Sequence, residues 1–148
     1  MLLNRLIFIL VAVFGIFSTT RAEITFHEIR TASDNVLVAF FTNSELDLDA
    51  INTSRLSEWK INGQQKKSIY KYVTEANACD YHIYLETGTL VPGNTYRVET
   101  PYGEKKFKFD EKEIFCEAIK VNQVGYSAQS TVRYANFAIW LGTGGSRK

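Results

Sequence analysis

Cysteine, proline, histidine and surplus charge are all scarce in this chain. Its 148 residues include two cysteines, two prolines, two histidines and one methionine, and the formal net charge is +1. Without a basic excess there is no electrostatic footprint for nucleic acid, which needs lysine and arginine concentrated on one face. His27, His82, Cys79 and Cys116 do not together make a set with ligand spacing. No metal or other cofactor is therefore expected. No nucleophile sits near a base in a pattern that nucleophilic or acid–base chemistry requires, so no catalytic residue is assigned. Internal repeats and low-complexity runs are also absent, as is any amphipathic helix beyond residue 22.

The one long apolar run lies at the start. Arg5 precedes the almost wholly apolar stretch Leu6 to Phe17, and Ser18 to Ala22 reads STTRA with small residues at Thr20 and Ala22. This is the pattern of a secretory signal cut after Ala22. It implies an extracellular or periplasmic protein with no stable membrane span after cleavage. The run is short for a membrane helix, which needs about 20 residues; an uncleaved N-terminal anchor is the alternative. No cysteine follows to carry a lipid. Loss of Arg5 and Arg21 leaves 15 basic residues against 16 acidic ones.

Export gives Cys79 and Cys116 a second meaning, because they are the one available intrachain pair. A bridge would stabilise the fold by roughly 4 kcal/mol in the chain-entropy model. Two small hydrophobic side chains that never meet is the other reading, since spacing alone does not supply bridging geometry.

What is abundant is Tyr and Phe, set in short alternating runs that suit β-strands. Ile24 to Arg30 reads as a strand ended by Ser33-Asp34-Asn35. Val36 to Phe41 is apolar without alternation, as in a strand covered on both sides. In Glu45 to Ala50 an extended chain would put Glu45, Asp47 and Asp49 on one face. A solvated edge fits them better than a calcium site, for which no curved ligand loop is marked. Asn52-Thr53-Ser54 is a glycosylation sequon in a eukaryotic setting.

Trp59 and Ile61 share a face away from Lys60, and Asn62-Gly63 forms a two-residue hairpin turn returning through Ser68 to Val73. Tyr81, Ile83 and Leu85 form the inner face of the next strand, with His82, Tyr84 and Glu86 on its surface side. Pro92-Gly93 turns the chain into Tyr96 and Val98. A tyrosine there resembles the tyrosine corner of immunoglobulin-like and fibronectin type III sandwiches. Phe107 and Phe109 anchor a last strand. About seven strands between Ile24 and Phe109 predict an all-β, immunoglobulin-like sandwich over residues 23–115.

From Ile119 the sequence reads IKVNQVGY, then Arg133 to Leu141 reads RYANFAIWL. Val121, Asn122, Gln123, Val124, Gly125, Tyr126 and Arg133 resemble the opening of the N-terminal immunoglobulin-like domain of family 9 glycoside hydrolases, the cellulase and endoglucanase family. The resemblance covers about thirty residues, a fraction of one such domain. It implies that residues 116–148 hold the first two strands of a second, incomplete sandwich. A helical catalytic barrel with its carboxylates, the intramolecular partner, would lie outside this chain. Gly125 is expected to permit a turn where a Cβ would clash. Ala135, Phe137, Ile139 and Leu141 form a period-two apolar face, and Trp140 is an interface or core aromatic. Two strands alone would leave open edges, so the segment from Cys116 is expected to pack poorly or to associate.

Two functions compete at this point. The first is a non-catalytic part of a secreted hydrolase of plant cell-wall or related polysaccharide, inactive alone. The second is a stand-alone polysaccharide- or surface-binding module using Trp59, Tyr102, Tyr70, Tyr72, Tyr84 or Trp140. Exposed, coplanar aromatics would favour the second.

Overall fold

The computed structural model of the chain describes residues 23–75, 79–121 and 125–147. Strands β1 (Ile24–Ser33) and β2 (Val36–Asn43) form an antiparallel hairpin. A bulge between Phe26 and Glu28 resets the alternation of β1. Phe26 and Ile29, three apart, therefore both reach the same inner core. The chain then crosses to the short strands β3 (Lys60–Ile61) and β4 (Gln64–Gln65). It returns as β5 (Ile69–Glu75) and β6 (Cys79–Glu86), then crosses again to β7 (Thr95–Thr100) and β8 (Gly103–Lys108).

One sheet has the order β1-β2-β6-β5 and the other β4-β3-β7-β8. All neighbours in both are antiparallel. This is an all-β sandwich whose strand order is that of immunoglobulin-type domains, with β4 added at one edge.

Leu37, Ala39, Phe41, Tyr81, Ile83 and Leu85 of the first sheet face Trp59, Ile61 and Val98 of the second. Trp59 is fully buried, with Phe41 edge-on at 5.9 Å. The Val91 N–H donates to the Tyr96 hydroxyl at 2.8 Å, which makes the tyrosine corner. Val98, two residues on, stands where antibody domains place a cysteine, so apolar packing holds the sheets together there. Asn62 and Gly63 have φ of 52° and 76°, as a type I′ turn demands. The strand returning from that turn is β4. Ile69–Glu75 crosses to the other sheet and pairs with β6 instead.

The chain does not leave the sandwich freely. Thr31 donates its N–H to the Phe115 carbonyl at 3.2 Å and accepts from the Glu117 N–H at 2.9 Å, extending the sheet beyond β1. The Arg30 guanidinium lies over the rings of Phe40 and Phe115 at 4.6 and 5.2 Å. Then β9 (Ile119–Val121) pairs with β10 (Ala135–Phe137), and β11 (Ile139–Trp140) with β12 (Ser146–Arg147). The single strand expected over Arg133–Leu141 is thus two short strands with different partners.

Leu141 is fully buried with Ala32, Val36, Val38 and Tyr84 on the outer face of the first sheet. The lack of alternation in β2 has its explanation here: the inner face meets the second sheet and the outer face meets Leu141. Tyr84, expected at the surface, lies under the same cover. Gly142 and Gly144 allow this approach. A Cβ at Gly142 would stand 2.1 Å from the Lys71 carbonyl oxygen, and one at Gly144 would stand 2.6 Å from the Tyr70 ring. Residues 139–147 are therefore packed on the first sandwich. Among the described residues, no helix is long and apolar enough to cross a membrane.

Candidate functional site

Two features stand out from the sandwich body: a cleft at one end, and the β9–β10 ribbon. The cleft has a volume of about 740 Å³ and is lined by the β2–β3 loop, the β7–β8 turn and Ile24. Its wall is built by three successive turns in which a side-chain oxygen caps the N–H two residues on. Asn43 accepts from the Glu45 N–H at 3.1 Å, Asp47 from Asp49 at 2.9 Å, and Asn52 from Ser54 at 2.8 Å. This curvature replaces the extended edge expected for Glu45–Ala50. The repeated Asx residue with a free N–H two positions on was the sequence signal for it.

Two tyrosines pin the loop from below. The Tyr81 hydroxyl donates to the Asp47 carbonyl. The Tyr102 hydroxyl donates to the Ala50 carbonyl at 3.1 Å and accepts from the Asn52 N–H at 3.3 Å. Ile51 is buried between these tethers. Lys71 adds contacts to the Leu48 carbonyl at 3.0 Å and the Asp49 carboxylate at 3.1 Å. Glu58 pairs with Arg55 at 3.4 Å on the rim. Among the described residues, no three His, Cys, Asp or Glu side chains are grouped to hold a metal ion.

The ribbon is the apolar counterpart. Register places Ile119 opposite Phe137 and Val121 opposite Ala135 on one face, with Lys120 and Asn136 on the other. Ile119, Val121 and Phe137 are each at least half exposed, at 52%, 59% and 50%. Of the family 9-like motif, Val121 ends β9, whereas Asn122, Gln123 and Val124 lie outside the described residues. Gly125 has φ of 91° with open space around a hypothetical Cβ, so its role is dihedral and the expected clash is absent. The Tyr126 hydroxyl donates to the Tyr134 carbonyl and closes the loop. Arg133 is exposed.

The aromatics proposed for glycan contact separate. Trp59 is core, with its indole N–H unpartnered. Tyr102 is half-buried against Phe41 and Trp59 and touches the cleft. Trp140 is 57% exposed. Tyr72 and Phe40 flank His82 with ring planes turned by 87° and 58°, so that row is not a flat platform.

The two cysteines are not brought together. Cys116 carries a free thiol and lies beside Thr31, which pairs with Leu37. The Cys79 backbone pairs with Asn43 at the other end of β2. That distance along a strand is about 20 Å, far beyond disulfide reach.

Buried side chains acquire shifted protonation here. Burial pushes the Glu117 carboxyl upward, opposed by the nearby Arg30 and Lys120 charges. Burial also raises the Tyr84 phenol, with the Glu117 charge adding to the effect. Fold and sites together define an immunoglobulin-like sandwich with a rigid loop-end cleft and an apolar tail ribbon. No protein-family model, curated protein or solved structure matches the chain.

Proposed function

We propose that this chain is the non-catalytic β-sandwich portion of a secreted family 9-type glycoside hydrolase, whose catalytic domain lies outside it. The observation that carries the reading is the β9–β10 ribbon. It places Ile119, Val121 and Phe137 on one exposed face, directly at the segment resembling the family's N-terminal domain. A two-stranded ribbon with an apolar face is marginal by itself and is stabilised by further strands. The closed sandwich before it would act as a spacer and buttress. Its linker is fixed by the Thr31 hydrogen bonds and the Arg30 ring contacts, so it would hold the second sandwich at a set angle.

Reading the coding DNA past the Lys148 codon tests this. The expected result is further strands that complete the second sandwich, then a helical region bearing paired aspartates and an acid glutamate. A stop codon followed by unrelated sequence overturns it. The purified chain should leave soluble β-glucan unhydrolysed in a reducing-sugar assay.

A further inference from the structure

We infer that the loop-end cleft is a binding site for the end of a neutral oligosaccharide. The proposal stands independently of the family 9 reading. The cleft lies where the β2–β3 loop and β7–β8 turn meet, the end at which antibody variable domains carry binding loops. Its volume of about 740 Å³ falls in the range of small-ligand sites. It is also preformed. Three capped turns and the Tyr81 and Tyr102 hydroxyl tethers fix its backbone, so little ordering remains to oppose binding.

The side chains set the ligand class. Glu45 and Asp47 offer carboxylate oxygens to hydroxyl donors, and the Asn52 amide offers donors to hydroxyl acceptors. Tyr102 contributes part of an aromatic ring, which suits the C–H face of a pyranose. The strongest pointer is Asn43, a fully buried wall residue. Its Oδ1 is engaged by the Glu45 N–H, while its Nδ2 has no partner. A buried donor left unmade is costly; Nδ2 is closed to solvent beneath the cleft wall, and a bound acceptor oxygen that draws it out would relieve that cost. The local carboxylates repel uronic acids and other anionic sugars.

The experiment is titration of the ¹⁵N-labelled chain with cellotetraose, xylotetraose, mannotetraose and tetragalacturonic acid. At least one neutral tetrasaccharide should give saturable shifts confined to residues 43–58 and 101–102, and tetragalacturonic acid should give none. Asn43→Asp keeps the oxygen that accepts the Glu45 N–H and removes the donor, so it should weaken binding at least about tenfold. Asp47→Asn, on the loop surface, should weaken binding without affecting folding and serves if the Asn43 variant fails to fold. The proposal is overturned by an absence of shifts from every neutral sugar up to about 10 mM, by shifts that map elsewhere, or by variants that bind as the parent does.

Discussion

Strand β8 at the edge of the sandwich carries Lys105, Lys106 and Lys108, and Lys105 sits opposite buried Val98 on the inward side. Its ammonium lies 5.7 Å from the Phe26 ring centre. Strand β4, the other edge of that sheet, is two glutamines long. In the first sheet, β1 is covered by Phe115 to Glu117, and Thr143 of the Gly142–Gly144 turn accepts the Lys71 N–H of β5. Inward lysines, short strands and covering segments are ways of preventing edge-to-edge association. The β9–β10 ribbon has short strands too, three residues each, but among the described residues no inward lysine or covering segment protects it. Among the described residues no third strand pairs with it, and its apolar face is open. One region thus behaves as a finished unit, whereas the other has its strands formed before anything covers them.

The most severe way to test that contrast is to remove one aromatic ring from each region. Trp59→Ala empties the sandwich core and should cost about 3–5 kcal/mol, enough to unfold a domain of ordinary stability. Phe137→Ala, at a half-exposed position of the ribbon, should stay within about 1 kcal/mol. Urea unfolding followed by circular dichroism measures both. Comparable losses would mean that ribbon and sandwich unfold as one body.

Gly142→Val attacks the junction between the regions. The new Cβ would run into the Lys71 carbonyl, at a residue with φ of 61°. The tail should lift from the sheet at a cost of about 1–3 kcal/mol. Amide exchange should then accelerate over Ile139–Arg147 and over Val36 and Val38, while Ile83 and Leu85 stay protected. Unchanged exchange in the tail would show that the Leu141 contact adds little.

Which of these features could be read from the sequence depends on whether local pattern or distant contact sets them. The inner faces Trp59/Ile61 and Tyr81/Ile83/Leu85 were legible because alternation is a local property of a strand with one buried side. The Asn62-Gly63 turn and the Tyr96 corner were legible because a dihedral requirement and a short hydrogen-bonded loop are equally local. The placing of Ile69–Glu75 in the hairpin fails because alternation does not say which sheet a strand joins. Tyr84 reads as surface because its cover, Leu141, comes from more than fifty residues away. The cleft is hidden for another reason. Its carboxylates share a face only on an extended chain, whereas side-chain caps at Asn43, Asp47 and Asn52 curl that chain.

A milder comparison uses two tyrosine hydroxyls that each tie a loop. Tyr96→Phe removes the bond from the Val91 N–H and should lower sandwich stability by about 1 kcal/mol. Tyr126→Phe removes the tie to Tyr134 in the tail and should leave the main unfolding transition in place. A matching drop from Tyr126→Phe would again argue for a single cooperative body.

The smallest expected effect is a pH dependence, and it distinguishes the sheet from its strap. His82 sits between Phe40 at 4.5 Å and Tyr72 at 5.6 Å on the outer face of the first sheet. Burial lowers its pKa below the usual 6.5; the Asp80 charge opposes this and the Arg30 charge adds to it. The unfolded chain then binds the proton more readily than the native one, so stability falls as pH drops through 6.5. Glu117 in the strap has the opposite sign. Burial raises it above 4.5, so the native state holds its proton longer and stability falls as pH rises through that value. Urea midpoints between pH 4 and 8 should therefore show two opposed slopes. His82→Gln should flatten the one near neutrality, and Glu117→Gln the one in the carboxylate range. If Glu117→Gln left its slope intact, the Phe115–Glu117 segment would not be held against β1 in solution, and the fixed linker on which the spacer role depends would be lost.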